Sequence, residues 1–196
     1  MTITESLIRI SDWLNNGVCT KYKFKVPPEQ DKPIGDSYEY EEVNPHAFPV
    51  FLPTKDKLPP DIKTNMPSIT VQLDTGSDDT SKLSRDLTIN LGFSVWNPGV
   101  HGLDIYYPKG KAPEEPEKYK SGYNGWMDCW NFVDAVLRDL ESASSVNGLR
   151  ITGNIAYGPY KSQDSIPDYY PYWFAYIQFT VQSDILRNVE EYQEFL

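Results

Sequence analysis

Apolar and polar positions recur along this chain regularly enough to predict most of its secondary structure. Ile3, Leu7, Ile10 and Leu14 take the i, i+4, i+7, i+11 spacing that lines one face of a helix. Thr2 is placed to cap that helix, Glu5 to complete a capping box, and Gly17 to close its C-terminal end. From Met66 the period changes to two. Ile69, Val71 and Leu73 predict a short strand ending in a turn at Asp74-Thr75-Gly76-Ser77-Asp78-Asp79. Leu87, Ile89, Leu91, Phe93 and Val95 predict a strand half-buried in an antiparallel pair, which stops at Asn97-Pro98-Gly99. Helical spacing returns with Trp126, Cys129, Trp130, Val133, Val136, Leu137 and Leu140, while Asp128, Asn131, Asp134, Arg138 and Glu141 form the opposite face. Two strands follow: Leu149, Ile151, Ile155 and Tyr157, with a bulge expected at Gly153, then Trp173, Ala175, Ile177, Phe179 and Val181. The alternate positions of the last strand, Tyr172, Phe174 and Tyr176, are aromatic too, so it is covered on both faces or lies at an interface. In the tail, Ile185, Val189, Tyr192 and Leu196 fall at helical spacing.

The segments between these elements differ in character. Residues 18–65 hold eight of the chain's 16 prolines, a density that excludes regular helix. Only Tyr38 to Val43 alternates enough to suggest a strand there. This stretch reads as a Pro-rich insertion or arm, residues 98–124 as a second insertion, and residues 183–196 as a C-terminal helical tail. The expected architecture for residues 1–196 is a single α+β domain. It has a mostly antiparallel four-stranded sheet packed on a central helix, with an N-terminal helix and long loop insertions.

Charge and composition then remove several classes of function. A net charge of −10 opposes binding driven by phosphate neutralisation. No apolar run approaches the roughly 20 residues of a membrane span, and the first residues lack the basic and apolar regions of a secretory signal. Cys19 and Cys129 have no CxxC spacing and make no disulfide framework, so free thiols of an intracellular compartment are the simpler reading. With only His46 and His101 besides, a zinc site would need carboxylates at unmarked spacings. No Gly-rich phosphate loop and no GxSxG elbow occurs.

Two candidate chemistries are weighed and set aside. His101 with Asp104 could form a base and its orienting acid, but reads as a loop histidine. Asp74-Thr75-Gly76 matches the aspartic-protease triplet but needs a second copy, and the Asp74–Asp79 run lacks the ligand spacing of an EF-hand. No catalytic, cofactor or metal residue is therefore assigned, no cofactor is expected, and the chain is not expected to be an enzyme. The concentration of aromatics at Tyr106-Tyr107 and Tyr169 to Trp173 points instead to contact surfaces. The candidate subunit-interface residues are Tyr106, Tyr107, Tyr170, Tyr172, Trp173 and Tyr192. Stacking on sugar rings by Tyr106, Tyr107 and Trp173, in a carbohydrate-binding module, is the alternative. A hydrolase using His101 or the carboxylates of residues 74–79 is a further one.

The order of Pro67 to Leu73, Leu87 to Trp96, the helix from Trp126 to Leu140, and Ile151 to Val181 resembles the tail terminator and tail-completion (head–tail joining) proteins of long-tailed bacteriophages. The resemblance covers the N-terminal helix and residues 66–182. It implies a structural protein that forms a homo-oligomeric ring, commonly a hexamer, capping the tail tube and facing the head-side connector. Its place would be the virion tail or neck, after assembly in the host cytoplasm. Its partners would be its own copies, tail-tube proteins and connector proteins, with no membrane and no specific nucleic-acid binding. No active site is implied. A ring needs two different patches on each subunit, and the arm 18–65 against the strand edge near Trp173 to Val181 is the expected pair. Residues 1–65 carry a net −2, so −8 falls on residues 66–196, which would suit an acidic lumen that DNA passes without sticking.

Overall fold

A computed structural model describes residues 1–27, 41–97 and 124–185. Two helices exceed a single turn, α1 (Ile3–Asn16) and α3 (Trp126–Ser142); between them α2 (Val18–Lys21) is one turn long. Strands β1 (Phe24–Lys25) and β2 (Glu42–Val43) pair antiparallel as a small sheet. The main sheet has six strands: β3 (His46–Pro49), β4 (Ser68–Asp79), β5 (Ser84–Trp96), β6 (Ser145–Val146), β7 (Leu149–Pro159) and β8 (Tyr172–Asp184). Their order is β3-β4-β5-β8-β7-β6, with β3 parallel to β4 and every other pair antiparallel.

The sheet curls around the helices. α3 packs on the central strands β5 and β8, while α1 touches β3 and β4 at one edge and β6 at the other. Side chains of α1 fasten it at both ends. The Asn15 amide donates to the Ala47 carbonyl and accepts from the Ala47 N–H, occupying the outer edge of β3. Arg9 donates to the Asn147 carbonyl at 3.0 Å, and the Asn147 amide donates to the Arg9 carbonyl at 2.8 Å, fixing the β6–β7 turn. The concave face holds one core: Ile10 and Leu14 of α1, Ile69 and Val71 of β4, the Leu87–Val95 alternation of β5, Ile177, Phe179 and Val181 of β8, and Phe132, Val133 and Val136 of α3. The convex face carries polar cross-strand rows such as Gln72–Asn90–Gln178 and Asp86–Gln182–Arg150 and turns aromatic at Tyr176 and Phe174. Position 92 faces this side and is glycine, since a Cβ there would come within 2.6 Å of Thr70 Oγ1.

Several sequence expectations are corrected. Among the described residues the main sheet has six strands in mixed orientation and strand outweighs helix, so the mostly antiparallel four-stranded sheet on a central helix does not hold. The missing strands are short. β3 lies in the Pro-rich stretch, where four residues of parallel edge strand leave no readable alternation. β6 is two residues long and joins β7 through Asn147-Gly148, both at positive φ as in a type I′ turn. Part of the supposed arm is core: Phe24 and Phe132 have ring centroids 4.8 Å apart. Asp74–Asp79 continues β4 past a bulge between Leu73 and Thr75, and the hairpin turn comes after Asp79. β8 is flanked by β5 and β7, which closes the Trp173–Val181 edge to any arm. The capping box is half made, since Thr2 Oγ1 accepts from Glu5 N–H but the Glu5 carboxylate pairs with Arg9. β8 extends to Asp184, replacing the first residues of the expected tail helix, whose remainder lies outside the described residues.

Candidate functional site

Aromatic side chains converge at one end of the sheet, where β7 gives way to the 160–171 segment and β8 begins. Tyr160 N–H donates to the Phe174 carbonyl at 3.1 Å, continuing the β7–β8 ladder by one bond. The chain then folds on itself between Ser162 and Ser165, with Gln163 and Asp164 at positive φ. It returns through Ile166 to Tyr169, where the Tyr169 carbonyl accepts from Tyr172 N–H at 2.8 Å. Trp126, Cys129 and Trp130 of α3 form the facing wall.

The result is an open cleft of about 400 Å³, within the range of sites that take small ligands or side chains. Its walls are apolar, and its rim carries the exposed Trp126, Tyr160, Ile166, Tyr169 and Tyr172. Trp173 anchors the floor by donating from Nε1 to the Asn97 carbonyl at 2.7 Å. The rings are packed on one another: Tyr169 meets Phe174 edge-on at 5.7 Å and 88°, and Tyr160 meets Phe174 at 6.4 Å and 66°. These edge-to-face contacts give a lined slot rather than a flat stacking platform.

Of the six interface residues read from the sequence, Tyr172 and Trp173 line this cleft. Tyr170 packs edge-on against Trp173 at 6.1 Å, beside the cleft. Tyr106, Tyr107 and Tyr192 lie outside the described residues, as do His101 and Asp104. Sequence reasoning assigned Trp126 to the helix core, but it is 47% exposed because α3 starts one turn before the sheet covers it. The i, i+4 pair Trp126–Trp130, on the same face as Cys129, was the available signal for the cleft wall.

The remaining reactive groups are engaged in structure. Burial pushes the Cys19 and Cys129 thiols up to about 12, Asp128 adding to the effect at Cys129, so neither is a thiolate nucleophile. Asp79 accepts from Ser81 Oγ and the Lys82 N–H in the β4–β5 turn, which holds its carboxyl down at about 2. A hydrogen bond from Arg85 likewise lowers Asp78, through a two-point contact at 2.7 Å. His46 packs at a tilt of 55° against Phe48, ring centroids 4.7 Å apart, and burial depresses its imidazole pKa despite the opposing charge of Asp61. Among the described residues no group of three His, Cys, Asp or Glu side chains is placed to hold a metal ion, and no helix is long and apolar enough to cross a membrane. No protein-family model matches the chain, and a search of curated proteins finds no match.

Proposed function

We propose that this chain is a structural subunit that assembles head-to-tail into a ring, in the role of a tail terminator or neck component at the head–tail junction of a long-tailed phage. The observation that carries this reading is the pair of strand edges on opposite sides of the main sheet. On one side, β3 covers only Ser68 to Val71 of β4, and among the described residues no strand pairs with the outer edge from Leu73 to Asp79. On the other, β6 covers only Leu149 and Arg150 of β7, and the edge from Thr152 to Pro159 has no strand partner among the described residues. Exposed edges of this length are templates for pairing with another chain. Two different edges on opposite sides are what a heterologous, ring-closing contact requires. The order helix, paired strands, helix, paired strands is the one on which the resemblance to tail-completion proteins rests, and the edge strands β3 and β6 have no counterpart in it.

The partners in this role are further copies of the chain, the tail tube and the head-side connector. Deleting the coding sequence from the phage that carries it tests the role: filled heads and unjoined tails should accumulate. Infectious tailed particles from the deletion would refute it. The aromatic cleft gives a carbohydrate-binding module a second standing, although the edge-on rings suit it poorly. Oligosaccharide binding that quenches the fluorescence of Trp126 would favour that reading.

A further inference from the structure

The Pro-rich stretch ends its edge strand in an unusual way. Val50, the residue after β3, has φ of 70°, a region that a β-branched side chain enters only under strain. Val50 N–H still donates to the Val71 carbonyl at 2.8 Å, and its carbonyl accepts from Gln72 Nε2 at 2.9 Å. Phe51 N–H turns back to the Pro49 carbonyl at 2.9 Å, closing a three-residue turn about Val50. The turn throws Val50 and Phe51 outward as an apolar knob, and Phe51 is 64% exposed. The strained turn leaves Phe51 in water beside an edge strand, where an apolar surface could receive it.

We infer that the Val50–Phe51 knob of one copy seats in the aromatic cleft of the next copy, between Trp126, Tyr160 and Tyr169. This rests on the head-to-tail reading above and names its contact. The knob and the cleft lie on opposite halves of the sheet. β3 and β7 are four neighbours apart in strand order, about 19 Å along the curl of the sheet, and neither Val50 nor Phe51 lines the cleft of its own chain, so the receiving cleft belongs to a second molecule. The charges match as well. In a chain of net −10, the segment 50–60 that carries the knob is net +1, through Lys55 and Lys57 against Asp56, while Lys63 further on pairs with Glu41 at 3.7 Å. The segment 159–170 that rims the cleft is net −1, and Asp128 at the start of α3 adds another negative charge.

Sedimentation velocity on the full chain tests the contact with Phe51→Asp, which removes the knob, and Trp126→Glu, which charges the cleft rim. Both side chains are exposed and each variant should keep the wild-type circular dichroism spectrum. Each variant alone should self-associate about 100-fold more weakly than wild type. Mixing the two should restore one contact, an intact cleft meeting an intact knob, and yield 1:1 heterodimers and nothing larger. Assemblies that persist unchanged in Phe51→Asp would overturn the knob contact and leave the ring reading standing. Open chains that depend on Phe51 would keep the contact and overturn the ring. A wild-type chain that stays monomeric at all concentrations would overturn both.

Discussion

Phe132 is the joint at which the Pro-rich stretch meets the sheet, and its removal gives a sharp test of the fold. It is wholly buried, with its ring 4.8 Å from Phe24 and 5.2 Å edge-on from Phe93 of β5. Phe132→Ala deletes a ring from a closed site, a change that costs about 3–5 kcal/mol. For a chain of this size that is a fall of about 10 °C in midpoint temperature. Phe24→Ala should cost nearly as much, because Phe24 is only 6% exposed although its sequence surroundings read as an arm. The double variant should fall short of the sum by about 1 kcal/mol, the coupling expected of a direct aromatic pair. Urea unfolding followed by tryptophan fluorescence measures all three. The Phe51→Asp background keeps self-association from adding to the apparent stability. A Phe24→Ala cost below about 1 kcal/mol, or strict additivity, would refute the placement of Phe24 in the core.

Three further outcomes follow from local geometry. Gly92→Ala should destabilise by about 1–3 kcal/mol, since its Cβ would meet Thr70 Oγ1 at 2.6 Å; Thr70→Ala should rescue part of the loss, and no rescue in thermal melts would discount the clash. Val50→Gly should raise the midpoint, because relief of the strain at positive φ outweighs the added chain entropy of about 0.5–1 kcal/mol; a clear fall would show that the turn is unstrained. Burial lowers the His46 pKa, so the unfolded chain takes up this proton at a higher pH than the folded one. The stability tied to it is therefore present above about pH 6.5 and is lost as pH falls through that value towards the folded pKa. His46→Asn should lose less stability than wild type between about pH 7.5 and about pH 5; equal losses in urea titrations would dismiss this role.

How much of this was legible in the sequence depended on length and on which face was covered. The period-two run from Leu87 to Val95 and the helical spacing of Val133 to Leu140 each commit a whole face to the core, and both elements form where the pattern puts them. Short edge elements carry no such signal: β3 and β6 are placed by pairing with β4 and β7 and by the Asn15 and Asn147 amides. The acidic run Asp74–Asp79 read as a turn because its composition is that of turns, but pairing with β5 extends the strand through it. The cleft was half visible. Tyr172 and Trp173 stood out as a concentration of aromatics, whereas Trp126 and Tyr160 reach them only after α3 and the β7–β8 connection are folded. Nothing in the composition of Val50-Phe51 signals a knob, since it arises from a backbone angle.

The proposed role requires the chain to close into a ring by head-to-tail contact. Native mass spectrometry of the purified protein, with negative-stain images of the same sample, tests this closure. Closed rings are expected at an integral multiple of 22.5 kDa, six copies by the resemblance to tail terminators. A monomer, an isologous dimer or open filaments would contradict it.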